Sequence, residues 1–431
     1  MANLRIAGLR LPLFIVVSLM LILAIYLGVL PNNMVGAFLF LIVIGELMNL
    51  VGNHLPIVKT YLGGGAIVSI FGGAALIYFG IIPEQLSTTV SSFMKGQGFL
   101  DFYIAALITG SILGMNRKLL LRASALYLPC ILASVSVALV LVYLGSYLVG
   151  YQPTEGIAYI GIPIMGGGMG AGAVPISKVF GAALNVEPES IMGKLVPAVA
   201  LGNAMAIVAS GLLNRLGKSF PKLTGNGQLV RTDDATLKAE KKENIRLKST
   251  ADYMGGIALA TGFFTLGSVI SYLLKTYAGI DIHTYAWMII SVAVVKALNL
   301  LPESVQEMAE AWYDFVAKNF TAALMLGIGM AYTNMGDIIS AFTIQYVVLV
   351  FFVVLGAILG AAVVGHLIGF YAIETAITAG LCMANMGGTG DVAVLTAADR
   401  MELMPFAQIS SRLGGALIIL IASFLVPIFF G

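Results

Sequence analysis

Charge is the scarcest property of this chain. Only 10% of its 431 residues are Asp, Glu, Lys or Arg, where a soluble domain carries about 25%. With 59% hydrophobic residues and a mean hydropathy of +0.98, it lacks the polar groups to cover a water-facing surface. A soluble globular protein is excluded. The net charge is +2, far from the basic footprint of nucleic-acid binders, so no nucleic-acid partner is expected. The two cysteines, Cys130 and Cys382, sit in apolar surroundings and indicate no disulfide framework. The three histidines, His54, His283 and His366, are scattered and show no metal-ligand spacing. Neither a Walker loop nor a dinucleotide turn in a strand–helix context is present. The expectation is therefore no enzyme, no metal site, no cofactor and no nucleotide-driven pump.

What the chain has is apolar runs of about 18 residues or more along its whole length. They predict an all-α polytopic membrane protein with about eleven transmembrane helices. The spans fall near 12–30, 34–53, 65–83, 101–115, 123–149, 190–214, 253–275, 284–301, 319–335, 343–370 and 404–430. The first run is followed by no small-residue cleavage site and reads as a retained helix. Two apolar segments remain, 155–182 and 371–398, both rich in glycine and broken in the middle. Basic residues cluster at Arg5 and Arg10, at Arg117, Lys118 and Arg122, and between Arg215 and Lys248. All three clusters fall on the cytoplasmic side only if 155–182 enters and leaves on one face. The charges thus predict two re-entrant hairpins, a cytoplasmic N-terminus and an external C-terminus.

The two broken segments match each other. "GGMGAGAV" (Gly167–Val174) and "GGTGDVAV" (Gly387–Val394) share the pattern G-G-x-G-x-x-A-V, 220 residues apart. The organisation expected is an N-terminal helix (1–33), a first repeat (34–214), a polar cytoplasmic linker (215–250) and a second repeat (251–431). An odd number of spans per half inverts one five-helix repeat relative to the other, the plan of secondary transporters. Non-helical backbone at membrane depth is tolerated only inside protein or beside a water-filled cavity. Glycine there bares N–H groups to a ligand, and the half-helix that follows points its positive end at the same spot. Close helix packing through small residues is the alternative reading of a single such motif.

An anion site also needs a fixed cation. Arg412 lies about two turns into the last helix, where an arginine must face a cavity or a partner. Its planar fork suits a carboxylate. Gln408, four residues earlier, and Ser411 accompany it. The alternative is a structural pair with Asp391 or Asp399. Asp391, Glu46 and His366 are the other deep polar groups, each a candidate for a coupled proton or a helix-packing hydrogen bond.

The blocks "CMANMGGTGDVAVLTAADRM" and "PFAQISSRLGG", with the paired hairpins, resemble the bacterial 2-hydroxycarboxylate transporter family over the whole chain. The resemblance implies a homodimer in the bacterial cytoplasmic membrane that moves citrate, malate or lactate by an elevator mechanism. A scaffold would form the dimer contact, and a mobile body would hold both hairpins in the lipid bilayer. It implies substrate contacts at Arg412, Gly170, Gly388 and Thr389, and places Asn385 and Cys382 near sodium sites. Met169 stands where the family's sodium-coupled citrate carriers have asparagine, and Met386 where they have arginine. A thioether is a poor ligand for a hard cation. The expectation is proton-coupled symport rather than sodium coupling. Precursor–product exchange, sodium symport, and a channel or non-transporting membrane protein are the alternatives.

Overall fold

The computed structural model describes residues 5–56, 58, 64–114, 117–231, 250–279, 284–333, 335–336, 339, 342–400 and 403–430. His283 and residues 232–249 of the polar linker lie outside the described residues. After a short antiparallel pair, Arg5–Ile6 with Leu9–Arg10, the described chain is almost entirely helical. The first half contains α1 (Leu11–Tyr26), α2 (Met34–His54), α3 (Gly65–Tyr78), α4 (Glu84–Met94), α5 (Phe99–Leu113) and α6 (Arg117–Val149). A first broken hairpin (153–184) and α7 (Pro188–Ser219) complete it. The second half runs α8 (Ala251–Ala278), α9 (Thr284–Leu298), α10 (Glu303–Asn319), α11 (Thr321–Ala331) and α12 (Ile344–Leu367). A second hairpin (372–398) and α13 (404–430) follow. Among the described residues, 7 helical stretches are long and apolar enough to cross a membrane.

The element order repeats. From α2 to α7 and from α8 to α13, each half reads four helices, one long helix, a broken hairpin and a closing helix. Helix α4 and helix α10 fall outside the expected spans. Each carries an apolar stripe at helical spacing: Leu86, Val90 and Phe93 in α4, Ala309, Trp312 and Val316 in α10. Such helices have a strong apolar stripe but no apolar run, so a search for long runs passes them over.

Small residues set the packing. The most extensive helix pairing is between α6 and α12. There a Cβ on Gly360 would lie 2.2 Å from the Ala133 carbonyl oxygen, and Ser134 donates to Ala357 O at 3.1 Å. Backbones that touch in this way gain dispersion over a long seam, which lipid cannot match. Helices α6, α7, α12, α13 and both hairpins form one body. Helices α2, α3, α4 and α11 form one bundle, and α5, α8, α9 and α10 another. The hairpin body meets this second bundle along a sparse seam, chiefly α9 against α13 and α5 against the first hairpin.

Two glycines test this packing. Gly360→Val must push a side chain into the Ala133 backbone, and overpacking costs about 1–3 kcal/mol. Gly262 has nothing within 4 Å of its virtual Cβ, so Gly262→Ala is expected to hold or gain up to about 1 kcal/mol. Thermal unfolding in detergent should separate the two variants, and equal melting would contradict the seam.

Candidate functional site

The turns of the two hairpins meet. Gly167 and Gly168 have φ of +74° and +115°, and Gly387 has +73°, conformations that a side chain disfavours. Space forbids one as well. A Cβ on Gly168 would lie 2.6 Å from Met386 O, and one on Gly387 would lie 2.8 Å from Gly167 O. Each hairpin folds back on itself, and Tyr159 packs edge-on against Phe180 across the first. Its second arm opens with a π-helical turn, Met169–Ala173, and the second arm of the other opens as an α-helix at Gly388.

Side chains satisfy the bared backbone. Met386 N donates to Asn203 Oδ1 of α7 at 3.0 Å, and Gly387 N donates to Asn385 Oδ1 at 2.7 Å. Asn385 Nδ2 donates to Asp391 Oδ1 at 2.9 Å. Asp391 is 1% exposed. The Ser411 hydroxyl stands 2.8 and 2.7 Å from its two carboxylate oxygens and 3.1 Å from Cys382 O. Its single proton serves one of these acceptors at a time. Ser411 and Arg412 lie on a π-helical turn, Ser410–Gly414, that interrupts α13. Such insertions recur at functional sites.

A cavity of about 160 Å³ opens beside this cluster. Gly167, Gly387, Asp391, Ser411 and Arg412 line it from the hairpin body, and Ser111 of α5 and Tyr313 of α10 face them. No described acidic side chain lies within salt-bridge distance of Arg412, so neither Asp391 nor Asp399 forms a direct ion pair with it, although Asp391 shares the cavity and is near enough to act on its charge. Cys382 and Asn385 are fully buried behind the cavity wall. Met169 is 3% exposed, at the start of its π turn. Gly170 faces Met325 and Tyr103 rather than the cavity. Gly388 and Thr389 begin a helix, but the side chains of Thr389 and Gln408 lie outside the described residues. Glu46 sits on α2 beside Asn49, whose Nδ2 donates to it at 3.4 Å, and is not among the cavity residues. His366 is exposed near the end of α12.

Sequence reasoning passed over Tyr313, Ser111 and Asn203, and a buried ion pair at the base of the second hairpin. Glu374 is 0% exposed and accepts from Arg400 Nε at 3.2 Å, Thr224 Oγ1 at 2.7 Å and Gly225 N at 2.9 Å. Glu374 and Arg400 sit at opposite feet of the hairpin. The segment 221–231, directly after α7, is folded over them, and Val230 bridges Phe370 as an antiparallel pair.

The family model of the 2-hydroxycarboxylate transporters matches residues 6–424. This chain belongs to that family. It is 38% identical over 427 residues to the citrate transporter CitP of Leuconostoc mesenteroides, covering 98% of this chain and 94% of the relative. It is 38% identical over 420 residues to the citrate/sodium symporter of Salmonella typhimurium, 97% and 94% covered. It is 38% identical over 432 residues to the malate transporter MleP of Lactococcus lactis, 99% and 98% covered. Family and relatives are transporters and not enzymes. A multi-pass location in the cell membrane follows.

The buried pair gives a stability prediction. Glu374→Ala leaves the Arg400 guanidinium buried without its carboxylate, at a cost of about 3–5 kcal/mol. The double variant Glu374→Leu/Arg400→Met should regain much of that loss in a detergent melting assay. A double variant no better than Glu374→Ala would contradict the pairing.

Proposed function

We propose that this protein is a secondary transporter of 2-hydroxycarboxylates such as malate and citrate across the bacterial cytoplasmic membrane. The observation that carries the proposal is Arg412, with no direct ion pair among the described residues, facing two touching glycine turns in one cavity. Its fork binds a substrate carboxylate, and the bared N–H groups and the Ser411 hydroxyl receive the remaining oxygens.

We extend the proposal to an elevator in a homodimer with eleven spans, two re-entrant hairpins and two inverted halves. The sparse seam beside a densely packed hairpin body supports this motion. Among the described residues, two ion pairs cross between that body and the rest, Lys178 with Asp101 and Lys95 with Glu189. Both lie near the feet of the first hairpin, at the external face if the basic residues mark the inside. They hold the external seam closed, and each must break when the body moves outward.

The coupling cation is assigned to the Asp391 cluster, with a proton as its identity. Met169 supports that reading because sulfur is a poor ligand for a hard cation. Met386, standing where sodium-coupled carriers have arginine, removes one positive charge from the pocket and so suits a substrate that carries a proton. Sodium is the second reading. The Asp391 carboxylate, Ser411 hydroxyl and Cys382 carbonyl gather oxygens of the kind sodium takes, and several relatives are named citrate/sodium symporters.

Initial uptake of malate and citrate into proteoliposomes, with sodium replaced by choline, decides between these readings. The proton reading predicts undiminished uptake that rises with an inward proton gradient, and strict sodium dependence overturns it. Arg412→Lys keeps the charge but loses the fork. It is expected to weaken apparent affinity about ten- to a hundredfold, and wild-type affinity would remove Arg412 from the site. For the seam, Lys178→Asp is expected to lower transport at least about tenfold, taking roughly 1.4 kcal/mol per factor of ten. Lys178→Asp/Asp101→Lys should recover a large part, and no recovery would count against the pair.

A further inference from the structure

The cavity has two walls of different origin. One is the hairpin body, with Arg412 on the π turn of α13. The other comes from α5 and α10 across the seam, with Leu107, Ile108, Ser111 and Tyr313. One close contact joins the two walls at the cation. The Arg412 guanidinium carbon lies 4.9 Å from the centroid of the Tyr313 ring.

This contact answers a physical need. A guanidinium in a largely apolar wall, with Asp391 nearby but no direct ion pair among the described residues, requires further compensation. The negative face of an aromatic ring supplies part of it. A ring against the guanidinium also restricts its rotation, and the five-donor fork keeps N–H groups for a carboxylate. Tyr313 reaches this point because α5 and α10 touch at a glycine. A Cβ on Gly110 would lie 2.3 Å from Tyr313 Cβ and 2.4 Å from Ala309 O.

We infer that Tyr313 is a positioning residue for substrate, its ring holding the Arg412 guanidinium in carboxylate-binding geometry at one end of the transport stroke only. The inference rests on the proposed function and deepens it. Tyr313 belongs to the stationary side of the seam and Arg412 to the moving body. The contact therefore exists where the cavity faces Tyr313 and is lost when the body moves away. Substrate meets a braced arginine at one membrane face and an unbraced one at the other. The braced face is the one bearing segment 221–231, next to the start of α13.

The test is half-saturation measured separately from each face, in proteoliposomes of known orientation. Tyr313→Leu is expected to raise the half-saturating malate concentration about three- to tenfold at the face bearing 221–231. At the opposite face the change should stay within about twofold, and the maximal rate should stay within about twofold as well. Tyr313→Phe keeps the ring and should restore the wild-type value. If the Leu variant fails to fold, Tyr313→Met supplies a second non-aromatic side chain. Wild-type half-saturation at both faces, or an equal rise at both, overturns the inference alone. Absence of malate and citrate transport by the wild type overturns the proposed function and this inference together.

Discussion

A backbone amide away from water must find a partner inside the protein, and the site depends on that constraint. The two glycine turns end helices in the interior and leave N–H groups bare. Asn203 and Asn385 satisfy two of them, at Met386 and Gly387. Asn385 then fixes Asp391, and Asp391 fixes Ser411 beside Arg412. A run of three side chains, Asn385, Asp391 and Ser411, thus links the turn of the second hairpin to the residue beside the fixed cation. The close contact between Gly168 and Met386 joins the first hairpin to the same run.

The two halves share a backbone plan and differ in chemistry. Aligned on the glycines, Asn385 corresponds to Met165, Thr389 to Met169 and Asp391 to Ala171. The Asp391 carboxylate and the Asn385 amide belong to the second hairpin, and the first contributes bare backbone, with Asn203 supplied by α7 of its half. The feet of the hairpins differ as well. The second is closed by the Glu374–Arg400 pair under segment 221–231. The first borders a cavity of about 540 Å³ that includes Glu155, Tyr159 and Lys194. A symmetric scaffold with asymmetric chemistry yields one site, a property suited to moving one substrate per stroke.

The sequence displayed the long apolar helices and the twin glycine turns because each leaves a local mark: an apolar run, or a G-G-x-G pattern. Arg412, Ser411 and Asp391 were legible as a group because a polar residue in such a run is costly and must be explained. Tyr313 was not, since α10 is an amphipathic helix that resembles a polar loop when only apolar runs are sought. The π turn that carries Ser411 and Arg412 has no sequence signature comparable to a glycine turn. Glu374 and Arg400 meet only because the hairpin folds back, and the part of 221–231 that covers them reads locally as the start of a linker. Glu46 resembled the other buried acids by composition, yet α2 packs in a bundle that does not reach the cavity.

The central claim is that one cavity wall moves across the membrane while the other stays. Cysteine substitution at Ala416, on the moving wall, and at Ser111, on the stationary wall, tests it directly with an impermeant thiol reagent; both native cysteines are buried. The account predicts that Ala416→Cys is labelled from either face of the membrane in turn. Ser111→Cys should be labelled from one face only, and malate should protect both positions. Labelling of both cysteines from the same single face, whatever the gradient or substrate, would contradict the moving-wall account.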